Sequence, residues 1–192
     1  KVDVWLITHG HQDHLDDVGK RYLKGKTVIS PNRKITEGFS CLKNMVLKWG
    51  EEQHFSVDEY QIVIKAIPAF HASNFIMQKI VGKVNGYQIT ITRLLQTKII
   101  YFTGDTILYP RLTDFVPQNI DAIFANLGAV KSDSFGGPFT MNLKMLQQLE
   151  SILQPRKIYP IHIDDYSHYL TTKKEVEDAK YKTLSVGETI SI

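Results

Sequence analysis

Four groups able to hold a metal ion fall within six positions of this chain: His9, His11, Asp13 and His14, in the stretch Thr8-His9-Gly10-His11-Gln12-Asp13-His14. Residues 2–7 before it are apolar and partly β-branched, which predicts a strand, and residues 15–23 after it predict a helix. The four groups therefore sit where a strand ends and a helix opens. Residues two apart in an extended chain point to the same side. His9 and His11 can thus reach one ion together, while Asp13 and His14, where the chain turns, can aim at a second point nearby. Imidazole and carboxylate are the ordinary ligands of divalent first-row metals, and a merely solvated turn has no use for this density of them.

The stretch resembles the H-x-H-x-D-H signature of the metallo-β-lactamase superfamily, with His9, His11, Asp13 and His14 on the signature positions. Three further segments resemble the rest of the superfamily's pattern in order along the chain. Ile67-Pro68-Ala69-Phe70-His71 is similar to the segment that carries a third histidine. Ile99-Ile100-Tyr101-Phe102-Thr103-Gly104-Asp105-Thr106 is similar to the strand that ends in a bridging aspartate, and Ile158-Tyr159-Pro160-Ile161-His162 to the strand that ends in a last histidine. Each follows an apolar run, as expected if all the ligands gather at one edge of a β-sandwich.

The resemblance implies that His9, His11 and His71 hold a first metal, that Asp13, His14 and His162 hold a second, and that Asp105 bridges them. It implies two divalent ions, zinc before manganese or iron, ~3.5–4 Å apart with a shared water. The ions would bring that water's pKa to around neutrality, so that hydroxide attacks an electrophilic carbon or phosphorus. Asp13 and Asp105 are catalytic in that scheme as well as ligands. Around the last ligand, Ile161-His162-Ile163-Asp164-Asp165-Tyr166-Ser167-His168-Tyr169 resembles a subgroup of bacterial superfamily hydrolases with an aromatic residue and a second histidine there. His168 or Tyr166 could line the pocket and protonate a leaving group. Thr8, Thr103 and Thr106 are placed to orient ligands. His54 has no motif around it and is expected on a strand or at the surface.

Those residues must be positioned by a mixed α and β framework. Strands are predicted at residues 27–31, 45–49, 53–57, 60–67, 87–93, 98–103 and 121–126. Asn85-Gly86 is a hairpin-turn signal. Residues 32–43, with Asn32 as N-cap, predict a helix, and residues 140–153 an amphipathic one with Leu143, Leu146, Leu149, Ile152 and Leu153 on one side. Residues 172–180 predict a last exposed helix, residues 72–83 give no clear pattern, and the Gly- and Ser-containing loop 128–138 with Lys131 is expected to border the cleft. Periodicity alone yields only mixed α and β; the α/β four-layer αβ/βα sandwich is what the resemblance implies.

A chain of 192 residues is most simply one domain, here residues 1–192. It is long enough to bury roughly 70% of its unfolded surface. The net charge of +3 comes with scattered lysines, so no nucleic-acid stripe stands out, and no apolar run approaches the ~20 residues of a membrane span. Cys41 is the only cysteine, which excludes an internal disulfide and fits a cytoplasmic setting. The superfamily normally places several strands before its histidine motif, whereas here the motif begins almost at once. The expectation is a domain whose first strands lie before Lys1, with a second copy or partner segment covering the gap, and with residues 184–192 as its closing turn and strand.

Thr140-Met141-Asn142 before a helix, followed by Pro160-Ile161-His162, resembles the branch that contains ascorbate-6-phosphate lactonase and N-acyl-phosphatidylethanolamine phospholipase D. The resemblance thus implies a metal-dependent hydrolase of a small ester, lactone or phosphoester. The alternatives are a phosphodiesterase acting on lipid or nucleotide and a non-catalytic metal-binding scaffold of the same fold.

Overall fold

A computed structural model describes residues 2–131 and 137–192. Among the described residues the strands form two sheets. The smaller is parallel, in the order β1 (Val4–Leu6), β2 (Thr27–Ser30), β3 (Lys43–Val46). The larger runs in sequence order through β4 (Glu52–Val57), β5 (Tyr60–Ala69), β6 (Val84–Arg93), β7 (Gln96–Phe102), β8 (Ala122–Asn126) and β9 (Ile158–Ile161). Its first four strands pair antiparallel, and β7, β8 and β9 pair parallel. The helices are α1 (Asp17–Tyr22), α2 (Phe75–Val81), α3 (Leu143–Leu153) and α4 (Lys173–Asp178).

The period-two alternation of the strands sorts their side chains into layers. On the small sheet Val4, Leu6 and Ile29 point inward, where they meet Phe55, Ile62, Ile64, Ala66 and Tyr87 of the large sheet. The intervening Trp5, Ile7 and Val28 point outward and pack with Leu15 and Leu23, which flank α1. On the far face of the large sheet Ile67, Ile99, Tyr101, Ile123 and Ala125 pack against Leu146, Leu149 and Leu153 of α3 and Val176 of α4. Helix, sheet, sheet, helix is therefore the order of layers, in agreement with the four-layer αβ/βα sandwich. No helix among the described residues is long and apolar enough to cross a membrane.

Several local expectations are corrected. Asn85-Gly86 is not a hairpin turn but lies inside β6, and the turn falls at Leu94-Leu95. Gly86 is needed there because a Cβ would meet the Thr103 carbonyl oxygen at 2.8 Å, which puts close backbone approach in place of a turn. Residues 32–43 do not form a helix. A single 3₁₀ turn, Arg33–Thr36, is followed by Gly38 at φ +83°, and the chain then enters β3 earlier than the apolar pattern suggests. Residues 184–192 contain a turn but no assigned strand. The ambiguous stretch 72–83 holds α2, capped by the Asn74 side chain, which accepts from the Met77 N–H.

Candidate metal centre

Strands β5, β7, β8 and β9 run the same way and end at one edge of the large sheet. His71 follows β5, Asp105 follows β7, Asn126 ends β8 and His162 follows β9. The loop after β1 is tied to that edge. The Asn85 N–H donates to the Thr8 carbonyl at 2.9 Å, and the Tyr87 hydroxyl donates to the Ile7 carbonyl at 2.8 Å. Gly104 lets the two sheets close here. It sits at φ +60°, and a Cβ on it would meet the Asn85 carbonyl oxygen at 2.7 Å and the Thr8 Cβ at 3.3 Å.

The result is that all seven residues singled out as metal ligands converge. One group is His9, His11 and His71, and the other is Asp13, His14, Asp105 and His162. Within each group the potential ligand atoms all lie within 4.8 Å of one another. Asp105 stands between the groups. Its Oδ2 is 3.3 Å from His14 Nε2, 3.5 Å from His71 Nε2 and 3.9 Å from His9 Nε2, and its Oδ1 is 3.6 Å from His162 Nε2.

Protein hydrogen bonds leave this centre unfinished in the way a cation site should be. His71 Nδ1 donates to the Phe139 carbonyl at 2.7 Å, which leaves Nε2 as a lone pair, 3.2 Å from His11 Nδ1. His14 Nε2 and His162 Nε2 face each other at 3.0 Å. His9 is 2% exposed, and its Nε2 is closed off from solvent with no partner. Most buried polar atoms in proteins are paired, so a set of imidazole nitrogens aimed at one another around a buried carboxylate fits bound cations.

Electrostatics carries the same signature. Burial first, and then the charge of His14, pull His9 from 6.5 down to about 2. Burial and then His71 lower His11 as well. Burial opposes charge on His14 too, but the hydrogen-bonded Asp105 carboxylate raises it overall. Burial opposes ionisation of Asp105, yet the His14 hydrogen bond and the charges of His162, His14 and His71 hold it well below the usual carboxylate range. Asp13 is likewise disfavoured by burial and is held low by the Tyr169 hydroxyl and His14. His14 apart, these are side chains that refuse protons where metal ligands must be deprotonated.

A profile of the beta-lactamase superfamily domain matches residues 1–163. The chain belongs to the beta-lactamase superfamily. Its curated relatives include a UPF0173 metal-dependent hydrolase of Pyrococcus furiosus, 27% identical over all of this chain and 82% of that protein. Among solved structures, an isothiocyanate hydrolase from Delia radicum gut bacteria superposes with a TM-score of 0.77 at 23% identity, over 99% of this chain and 78% of the other. A metallo hydrolase from Ignicoccus hospitalis gives 0.67 at 22% identity, over 99% and 79%. These structural likenesses speak for the fold.

The remaining expectations for this superfamily member divide. His168 is exposed and lines a cavity of about 280 Å³ together with His11, Asp13, His71 and Asp105, whereas Tyr166 does not line it. Val130 and Lys131 of the expected cleft loop line the same cavity; residues 132–136 lie outside the described residues. His54 is on β4 and exposed. Thr8 Oγ1 lies 3.1 Å from His9 Nδ1 and 3.4 Å from His14 Nδ1. Thr106 Oγ1 accepts from the Phe70 N–H just before His71, and Thr103 Oγ1 accepts from the Asn126 N–H.

Two supporting residues were missed from sequence. Tyr169 is buried, and its hydroxyl donates to Asp13 Oδ2 at 2.9 Å and lies 2.6 Å from His162 Nε2. Asn126 Nδ2 donates to Asp105 Oδ1 at 2.8 Å. His162 itself holds φ +62°, a left-handed conformation uncommon for any residue but glycine. Such strain gathers at functional sites.

Proposed function

We propose that this protein is a metal-dependent hydrolase that cleaves a small ester, lactone or phosphoester at a pair of divalent cations. The observation that carries the reading is the meeting of two ligand groups around one buried carboxylate, Asp105. His9, His11 and His71 would hold one cation and Asp13, His14 and His162 the other, with Asp105 shared. Five imidazoles and two carboxylates suit zinc, and the oxygen ligands admit manganese or iron. Such ions would supply Lewis acidity and lower the pKa of water to about 7.

The chain's own residues do the rest. The Phe139 carbonyl and Thr8 hold imidazole rings in place, and Asn126 and Tyr169 hold the two carboxylates. His168, on the wall of the cavity beside Asp13 and Asp105, is the residue we assign to pass a proton to the departing oxygen. The Thr140-Met141-Asn142 and Pro160-Ile161-His162 segments support a place near the lactonase and phospholipase D branch.

The test is turnover of bis(p-nitrophenyl) phosphate and of a small aliphatic lactone by the zinc-loaded protein. At least one is expected to be hydrolysed, with activity lost to a chelator and restored by zinc. Bound zinc with neither substrate turned over would count against the reading.

A further inference from the structure

A second cavity, of about 440 Å³, adjoins the first at His11 and reaches His9. Three lysines line it from three separate stretches of chain: Lys20 from α1, Lys34 from the 3₁₀ turn and Lys83 from the link between α2 and β6. Among the described residues, Glu37 is the only carboxylate on its wall. Lys20 is already paired with Asp17 at 2.8 Å. Among the described residues, neither Lys34 nor Lys83 has a carboxylate within 4.0 Å. Drawing like charges around one hollow is unfavourable unless an anion shares it.

The wall has two other qualities. Leu15, Ile35 and Phe39 give it an apolar side. Asn32 adds a polar amide side chain to the same wall.

We propose that this cavity is the specificity pocket for the substrate's non-reacting end, and that the end it takes is a small organic anion, a carboxylate or phosphate on a short carbon chain, gripped by Lys34 and Lys83. The proposal rests on the hydrolase reading for its substrate, and it assigns the anion to the two lysines rather than to the ligand cluster, whose His9 and His11 form part of the same wall. It assigns positive potential to recognition, where lysine acts as a point charge on a flexible stem.

The test separates binding from turnover. Calorimetry of glutarate on the zinc-loaded full chain is compared with the Lys34→Met/Lys83→Met variant, with circular dichroism to check its fold and Lys34→Arg/Lys83→Arg as the conservative control. Glutarate is expected to bind about tenfold more weakly to the Met variant and near the native affinity to the Arg variant. No binding by the native protein, or equal binding by a folded Met variant, overturns the proposal. Turnover is then read on a matched pair, mono-4-nitrophenyl glutarate and 4-nitrophenyl valerate. The native enzyme should prefer the first in kcat/KM, and the Met variant should lose about tenfold of that preference. Equal kcat/KM for the two esters overturns the pocket's role while leaving the hydrolase reading intact. Lysine-dependent glutarate binding with neither ester cleaved, and no turnover of the phosphodiester or lactone, sinks the hydrolase reading and keeps the anion pocket.

Discussion

The two ligand groups are built from different materials. His9, His11 and His71 bring three imidazoles and no carboxylate; Asp13, His14, Asp105 and His162 bring two imidazoles and two carboxylates. Their supports differ as well. The first group leans on a backbone carbonyl, that of Phe139 on His71, and on the Thr8 hydroxyl beside His9 Nδ1. The second leans on side chains, through Asn126 on Asp105 and Tyr169 on Asp13. The difference teaches that an all-imidazole group and a group with two carboxylates stand side by side, with Asp105 Oδ2 within 4 Å of imidazoles from both. Cation affinity and the ease of exchanging ligands should differ between them accordingly.

The largest way to break that pairing is Asp105→Asn. The substitution keeps the shape and removes the one charge that faces four imidazoles. Turnover is expected to fall ~10³-fold or more. Fewer metal ions per chain and an unchanged far-ultraviolet circular dichroism spectrum should accompany the loss. Native turnover with full metal content would show that Asp105 is not shared.

A smaller effect, confined to one group, is expected of Tyr169→Phe. Removing a hydroxyl that supports a ligand typically costs ~10–100-fold in metal affinity. The loss should fall on the weaker-held or second equivalent of zinc and leave the first equivalent near its native affinity. An equal loss at both sites would deny the division into two groups.

This contrast also explains what the sequence made legible. His9, His11, Asp13 and His14 were readable because a local turn must supply several ligands at once, which leaves a dense cluster. His71, Asp105 and His162 were readable because each ends an apolar strand and fills a place in a known pattern. Tyr169 and Asn126 were not, because a single hydrogen bond to a residue 156 or 21 positions away leaves no periodicity or spacing to find. Tyr169 stood one residue from the histidine that drew attention. The faces of β1 were not legible, because Val4, Trp5, Leu6 and Ile7 are all apolar and only the structure sorts Val4 and Leu6 from Trp5 and Ile7. Asn85-Gly86 misled because a turn dipeptide was weighed without knowing that the backbone of residues 102–103 runs against it. The lysine-lined cavity was invisible because Lys20, Lys34 and Lys83 are scattered along the chain and meet only in space.

Proton linkage sharpens the comparison with the smallest effect. His9 belongs to the all-imidazole group, and burial first, then His14, bring it from 6.5 to about 2. Below 6.5 the unfolded chain takes up a proton that the folded chain refuses, so the His9 contribution to stability is intact above 6.5 and is lost progressively as pH falls toward 2. The slope cannot exceed about 1.4 kcal/mol per pH unit for one such group. His14, in the group with two carboxylates, is raised and works in the opposite sense: its contribution is present below its unfolded value and fades as pH rises through its folded one. Metal-stripped protein melted between about pH 7 and about pH 5 should lose stability toward acid. His9→Asn, which does not titrate, should flatten that loss. A slope no different from the native protein's would remove His9 from the account.

The central claim is that the two groups hold two cations. Zinc titration of the metal-stripped full chain by equilibrium dialysis, with bound metal counted by mass spectrometry, tests it most directly. The account predicts two zinc ions per native chain, one retained in His71→Ala and one in Asp13→Ala. A native chain that binds fewer than two, or variants that both keep two, would contradict it.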